Sequence, residues 1–290
     1  MSKYVPDIST RRWVIVSPQR LGRPDHNGHS EKHDCPFCNG SEALTPPELY
    51  RIGKGEPNTP GWKVRVIPNK FPITDVHEVV IHSPDHKADI EDLSLGHVEL
   101  IISTYRQRYN FHRKDGQVLI FCNHGEHAGA SLTHPHSQIV VIPKQINLET
   151  LSREPLNNIV EETPFFNVYC PDFSQWPYEI WVSSKKEGTL FGDMTDEEVR
   201  ALSQILQKLI RRLKKIYEDR KISKMPFGYN FYFFPKESWY VRIIPRFVHR
   251  AGFELGTGLY VNVVDPMEAA LELKGVEKRV RGVLEKLRKY

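Results

Sequence analysis

The hydrophobic positions of this chain predict the same succession of elements twice. Residues 77–84 and 178–185 form strand-like runs that align without a gap, and each is followed by a short linker and an apolar stripe at helical spacing. The two stripes consist of Val98, Ile101, Ile102 and Tyr105, and of Val199, Leu202, Leu206, Leu209 and Leu213. Thr195 and Glu198 form a capping box that predicts the start of the second helix. Two more strands follow each helix, at 117–122 and 138–142 and at 228–234 and 239–244.

The repeat predicts an α+β fold of two related halves, each an antiparallel sheet with helices packed on it. We predict domains at residues 1–150 and 151–290, which meet near the polar, proline-containing stretch 144–164. Only the first half carries a histidine pair, His134 and His136, and a C-x-x-C motif. Aligning Asn123 with Asn230 sets this histidine pair opposite Tyr240 and Arg242. The other plausible register sets the pair opposite Lys236 and Ser238, so the second half has no histidine pair in either register.

Composition places the chain among ordinary globular proteins. It has 39% hydrophobic and 26% charged residues, no apolar stretch over residues 1–7, and no apolar run long enough for a bilayer. We therefore expect a cytoplasmic protein with no membrane partner. The net charge of +4 gives no reason to expect a nucleic-acid partner. Much of the basic excess lies at 274–289, where apolar spacing predicts a docked amphipathic helix.

Two sequence features carry candidate chemistry. In a reducing compartment, Cys35-Pro-Phe-Cys38 favours metal ligation over a disulfide. In an extended chain the side chains of His134, His136 and Gln138 lie on one face. This face is either a polar strand face exposed to solvent or part of a ligand-binding site. The small residues of the preceding segment 129–131 favour a site, because they let backbone amides approach phosphate oxygens.

These segments resemble galactose-1-phosphate uridylyltransferases of the histidine-triad superfamily. The resemblance rests on Asn123-His-Gly125, Gly129-Ala-Ser131 and His134-Pro-His-Ser-Gln138. It extends along nearly the whole chain through further motifs, which are Trp13 to Pro24, Cys35 to Cys38, Pro68 to Pro72, Ser83 to His86 and Gly252 to Gly258. It implies two histidine-triad-like halves and a nucleotidyltransferase.

The resemblance implies a role for each matching residue. His136 would attack the α-phosphorus of a nucleotide sugar, and Gln138 would stabilise the nucleotidylated state in place of the third histidine of related hydrolases. The remaining positions would contact nucleotide, phosphate or sugar: Arg20, Arg23, Asn69, Asn123, Gly129, Ser131, Phe253 and Glu254. Phe253 and Glu254 would act from the partner subunit of a homodimer. The implied substrates are UDP-glucose and galactose 1-phosphate, exchanged by a ping-pong mechanism.

The resemblance also implies a structural zinc ion, one per chain. Its ligands would be Cys35, Cys38, His86 and His134, a donor set that favours tetrahedral zinc. His82 and His33 are rival ligands. Cys122 and Cys170 match no ligand position, and we expect both in the core.

Three other functions stay open at this stage. Ser137 and the segment 252–258 are shared with ADP-glucose phosphorylases, so an adenylyltransferase is the first alternative. A histidine-triad nucleotide hydrolase is the second, and Gln138 in the third triad position argues against it. The third is a zinc-stabilised binding module without activity, in which His136 would be incidental.

Overall fold

The computed structural model describes residues 2–7, 12–23, 35–148, 151, 155–222 and 226–276. A small two-stranded sheet pairs β1 (Lys3–Pro6) with β2 (Trp13–Val16). The main sheet has ten strands, and its first five come before residue 150. They are β3 (Tyr50–Gly53), β4 (Trp62–Pro68), β5 (His77–Ile81), β6 (Gln117–His124) and β7 (His136–Ile142).

The second half contributes the other five strands of the same sheet. They are β8 (Ile159–Glu162), β9 (Phe166–Tyr169), β10 (Ile180–Ser184), β11 (Tyr229–Phe233) and β12 (Tyr240–Pro245). The strand order is β3-β4-β5-β7-β6-β11-β12-β10-β9-β8, and the neighbouring pairs are antiparallel. The predicted α+β class is confirmed. The domain boundary at residue 150 stays a prediction.

Two long helices cover one face of this sheet. α1 (Leu95–His112) begins at Ser94, whose hydroxyl accepts from the His97 amide at 3.3 Å. α2 (Asp196–Arg220) begins at the predicted capping box, in which the Thr195 amide donates to the Glu198 carboxylate at 2.7 Å. Two shorter helices follow β12, α3 (Gly252–Thr257) and α4 (Pro266–Leu273). Among the helices of the described residues, none combines the length and the apolar content needed to cross a bilayer.

The main core lies between the sheet and the two long helices. The predicted stripe residues are buried there, from Val98 to Tyr105 on α1 and from Val199 to Leu213 on α2. Cys122 and Cys170 belong to the same core, as expected. The opposite face of the sheet carries smaller clusters, and one of them packs Val79 and Ile81 of β5 around Cys35. The predicted helix at 274–289 lies outside the described residues from 277 onward.

The structure corrects the register of the repeat. The gapless alignment sets Val79 and Ile81 opposite Ile180 and Val182, yet the first pair lies on the open face and the second faces the helices. A slip of one residue exchanges the faces of a strand, so the true equivalence is displaced. If Val79 corresponds to Trp181, the strand pairing sets His136 opposite Tyr240 and His134 opposite Ser238.

Asn123 and Asn230 are not equivalent positions either. Asn123 lies near the end of β6 and Asn230 near the start of β11, and the two residues pair directly across the antiparallel ladder. The side-chain Nδ2 of Asn230 donates to the side-chain Oδ1 of Asn123 at 2.8 Å. The asparagines therefore join the two halves of the sheet.

Candidate active site

β7 lies between β5 and β6 and carries His136 as its first residue. The His136 Nδ1 lies 2.8 Å from the carbonyl oxygen of His134. A carbonyl can only accept, so Nδ1 is the protonated nitrogen and Nε2 keeps its lone pair. Burial lowers the pKa of His136 to about 4, which leaves the ring neutral at pH 7. The ring of Phe37 packs against this imidazole at a centroid distance of 5.3 Å and an angle of 70°.

A cavity opens beside His136 on the face of the sheet away from the helices. Its walls are apolar where Phe37, Ile67 and Leu132 line them. Polar and cationic groups line the rest: Arg23, Asn69, Lys70, Ser131 and Gln138. An apolar wall beside cations and amide donors suits a ligand that combines an aromatic base with phosphate groups.

The loop before β7 is held close to the cavity by glycine geometry and an arginine. Gly129 has a φ of 86°, a left-handed conformation that glycine adopts without strain. Its carbonyl oxygen accepts from Arg23 Nη2 at 3.2 Å. Arg20 lies in the 3-10 helix Pro18–Gly22 and donates from Nη1 to the Phe71 carbonyl at 2.8 Å. Burial, then the charge of Arg23, lowers the pKa of Arg20, as expected for two guanidinium groups held near each other.

Four side chains converge behind β7 into a group that could hold a metal ion. The ligand atoms of Cys35, Cys38, His86 and His134 lie within 4.8 Å of one another, and all four residues are buried. Cys38 Sγ lies 3.3 Å from His86 Nδ1 and 3.6 Å from His134 Nδ1. Tetrahedral zinc, with bonds of about 2.3 Å to sulfur and about 2.0 Å to nitrogen, would separate such atoms by about 3.6 Å.

The surroundings of the group favour the same use. His134 Nε2 lies 2.8 Å from the Ser83 carbonyl, so Nε2 carries the proton and Nδ1 presents a lone pair to the cluster. His82 is not a ligand, because its ring is bound elsewhere, with Nδ1 2.9 Å from Asp89 and Nε2 2.7 Å from Ser137. His33 lies outside the described residues.

The chain is similar to several known proteins. Residues 72–142, which contain β5 to β7, match the family model for the N-terminal domain of galactose-1-phosphate uridyl transferase. The chain is 26% identical to a galactose-1-phosphate uridylyltransferase from Thermotoga maritima, in an alignment that covers 93% of this chain and 97% of that protein. The chain is thus similar to galactose-1-phosphate uridylyltransferases along nearly its whole length.

The chain is also similar to proteins with a different name. An ADP-glucose phosphorylase from Arabidopsis thaliana is 28% identical over 93% of this chain and 92% of its own. The crystal structure of an Arabidopsis thaliana ADP-glucose phosphorylase with bound ADP-glucose superposes with a TM-score of 0.71 at 26% identity. That structure covers 96% of this chain and 100% of its own. The names of these relatives thus differ in the activity that they give.

The structure brings most of the expected site residues together. Arg23, Asn69, Ser131, His136 and Gln138 line the cavity. Arg20 and Gly129 lie beside the cavity, because they bind Phe71 and Arg23, which line it. Asn123 does not line the cavity, and its side chain binds Asn230.

Two further expected contact residues do not reach the cavity of their own chain. Phe253 and Glu254 lie on α3, which has no buried residue. The side chain of Phe253 is 54% exposed, and the Glu254 carboxylate accepts from the Ala251 amide at 3.0 Å. Their roles in sugar binding stay predictions.

Sequence reasoning missed three residues that contact the site. Phe37 lies between the two cysteines, where its packing on His136 follows from the turn that brings the cysteines together. Lys70 lies within the Pro68 to Pro72 motif and lines the cavity. His77 is the first residue of β5, and its Nε2 lies 2.9 Å from Gln138 Oε1. His77, Val79 and Ile81 are alternate residues of one strand, so the sequence predicts that their side chains lie on the same face of the sheet.

Proposed function

We propose that this chain is a nucleotidyltransferase that carries a nucleoside monophosphate on Nε2 of His136. The observation that supports this best is the orientation of that imidazole. Its Nδ1–H is held by the His134 carbonyl at 2.8 Å, and the ring lines the cavity where phosphates would bind. A neutral, fixed imidazole with a free Nε2 lone pair is a nucleophile at pH 7.

The reaction proceeds in two similar half-reactions. His136 Nε2 attacks the α-phosphorus of a nucleoside diphosphate sugar, the bond from phosphorus to the bridging oxygen breaks, and the sugar phosphate leaves with that oxygen. A second sugar phosphate then attacks the phosphorus with its own phosphate oxygen and releases His136. Arg23 and Lys70 are placed to neutralise the phosphate charge.

Gln138 favours transfer over hydrolysis. It lines the cavity on the same strand face as His136. An amide can donate a hydrogen bond to a phosphoryl oxygen, but it cannot act as an acid or base toward water. A sugar phosphate is a stable anion and leaves without an acid. These points argue against a nucleotide hydrolase, and the imidazole facing the cavity argues against a binding module without activity.

The donor we favour is UDP-glucose, with galactose 1-phosphate as the acceptor. The match of residues 72–142 to the uridyl transferase model and the similarity to the Thermotoga maritima uridylyltransferase support this choice. A second candidate is adenylyl transfer from ADP-glucose. It is supported by the 28% identity to the Arabidopsis thaliana ADP-glucose phosphorylase and by the likeness to the structure with bound ADP-glucose.

Zinc is the metal we propose for the group of Cys35, Cys38, His86 and His134. Two thiolates and two imidazoles form a closed tetrahedral shell, so the ion would be structural. It would tie the loop of Cys35 to β7, two residues from the nucleophile. Metal analysis of the purified protein tests this proposal, and one zinc ion per chain is the expected result.

We further propose a homodimer in which α3 of one subunit approaches the cavity of the other. α3 and the segment after it expose several large apolar side chains, among which Leu255 is 79% and Val263 67% exposed. Surfaces of this kind are usually covered in an assembly. The mass in solution, measured by light scattering, and its reduction in Leu255→Asp test this arrangement.

Intact-mass measurement tests the covalent step. The protein is incubated separately with UDP-glucose and with ADP-glucose, without an acceptor. A uridylyl adduct that disappears on addition of galactose 1-phosphate, and that is absent in His136→Gly, is the expected result. An adenylyl adduct alone would assign the second candidate with the same nucleophile. No adduct from either donor would refute the proposed function.

A further inference from the structure

His77 lies where it can decide which way the Gln138 amide points. A glutamine amide presents a carbonyl oxygen on one side and an NH₂ group on the other, and the two orientations occupy the same space. Only the orientation with NH₂ toward the cavity can donate to a phosphoryl oxygen. The role of Gln138 therefore depends on what holds its other side.

The tautomer of His77 follows from a backbone group. The amide N–H of Ile73 donates to His77 Nδ1 at 3.0 Å, so Nδ1 is an acceptor. Burial lowers the pKa of His77 to about 4, and the ring is neutral at pH 7. A neutral imidazole whose Nδ1 accepts has its one proton on Nε2. His77 Nε2–H therefore donates to the Gln138 oxygen 2.9 Å away.

Asn69 is oriented by a second backbone group and supports the same arrangement. The Phe71 amide donates to Asn69 Oδ1 at 2.8 Å, so the Asn69 NH₂ group faces the opposite way. That group lies 3.5 Å from Gln138 Oε1 and 3.2 Å from His77 Nε2, which carries a proton and cannot accept from it. Two donors, each fixed by a backbone N–H, thus converge on one amide oxygen. In the reversed amide, the Gln138 NH₂ would face two donors and no acceptor.

We propose that His77 is a positioning residue that, with Asn69, locks the Gln138 amide with its NH₂ group toward the cavity. The Gln138 Nε2 atom has no hydrogen-bond partner within the described part of the chain, and Gln138 lines the cavity beside His136. The locked amide offers its N–H to the phosphoryl oxygen in transit to and from His136. This inference rests on the proposed nucleotidyl transfer.

Two His77 variants form a matched pair for the test. His77→Phe keeps a ring and removes the donor, whereas His77→Gln keeps an N–H donor near the Nε2 position. Both remove the acceptor of the Ile73 amide, so they differ chiefly in the bond to Gln138. The rate of adduct formation is measured by rapid quench over a range of UDP-glucose and ADP-glucose concentrations.

We expect His77→Phe to slow the maximal rate of adduct formation by about ten-fold or more, with a smaller change in the donor concentration at half-maximal rate. His77→Gln should recover most of that loss. In a Gln138→Ala background, His77→Phe should have little further effect. Equal losses in the two His77 variants, an equal loss in the Gln138→Ala background, or a wild-type rate in His77→Phe would overturn the proposal.

NMR spectra of the unmutated protein provide a test that does not depend on whether the variants fold. With ¹⁵N-labelled histidine, the His77 ring should show the tautomer protonated on Nε2 between pH 6 and 8. A proton on Nδ1 would overturn the proposal. If the wild-type protein forms an adduct, the proposed function stands whatever the His77 variants do. If it forms none, both ideas fail.

Discussion

Replacing Asp89 by asparagine should destabilise the protein strongly, because one buried carboxylate holds four groups. Asp89 is 1% exposed. Its Oδ1 accepts from His82 Nδ1 at 2.9 Å and from the Ile90 amide at 2.7 Å. Its Oδ2 accepts from His124 Nδ1 at 2.7 Å and from the Tyr229 hydroxyl at 3.3 Å. These partners connect the loop before α1 to β6 and, across the sheet, to β11.

The magnitude follows from the number of bonds that an amide cannot replace. Asparagine has one acceptor oxygen, so two of the four bonds are lost and an NH₂ group faces two former donors. Bonds to a charged acceptor contribute about 1.5 kcal/mol each at the low end, which gives a loss of about 3 kcal/mol. Urea unfolding followed by circular dichroism measures this loss. Asp92→Asn, at a carboxylate 49% exposed, is the control and should change the free energy of unfolding by less than about 0.5 kcal/mol. A loss below about 1 kcal/mol for Asp89→Asn would refute the reasoning.

The same variant should alter the pH dependence of stability. Hydrogen bonds from His124 and His82 hold the pKa of Asp89 well below 3.8 against burial, so this stabilisation is present above pH 3.8 and is lost as the pH falls through the folded value. The Asp89 carboxylate raises the pKa of His124 above 6.5 against the opposing effect of burial. This contribution is complete below pH 6.5 and is lost as the pH rises through the folded value. Wild-type stability should therefore decline above pH 6.5 more steeply than that of Asp89→Asn. Parallel profiles for the two proteins would contradict this assignment.

Three further predictions concern the metal group, a buried ion pair and the transfer step. Cys38→Ser should lower both the zinc content, measured by metal analysis, and the rate of adduct formation, measured by intact mass. The control is Cys170→Ser, at a buried cysteine outside the group, and it should leave the zinc content unchanged. Arg108→Met should cost about 3 kcal/mol in urea unfolding, because the buried Glu78 carboxylate loses the Arg108 Nε donor at 2.9 Å and is left with His112 Nε2 at 2.7 Å, and adding Glu78→Gln should recover part of that loss. Gln138→His should hasten loss of the nucleotidyl adduct in buffer without acceptor by at least about ten-fold, since an imidazole can act as an acid or base toward water; an unchanged lifetime would contradict the role given to the amide.

The sequence was sufficient for the succession of elements and for several of the residues that line the cavity. Helical spacing placed Val98 and Leu206 in the core, and strand alternation placed His136 and Gln138 on one face. His134 lies before β7, in the group with Cys35 and Cys38. These inferences depend on local geometry, which repeats every two or every 3.6 residues.

Relations between distant strands were beyond the reach of the sequence. The gapless alignment of the repeat paired residues that lie on opposite faces of the sheet, because the register of a strand is set by its neighbours rather than by its own residues. Strand alternation predicts the face on which His77 lies, but only the pairing of β5 with β7 brings His77 to Gln138. Asn230 was matched to Asn123 by type, although its position is that of a direct ladder partner.

The pairing of β6 with β11 also has a consequence for synthesis on the ribosome. It joins residues that are distant in the chain, such as Asn123 and Asn230, which are separated by 107 positions. Until β11 has emerged, β6 is an open edge, and the strand next to it carries His136. Open edges of this kind invite pairing with other nascent chains. The second half, which carries no histidine pair of its own, thus completes and shields the sheet on which the nucleophile is built.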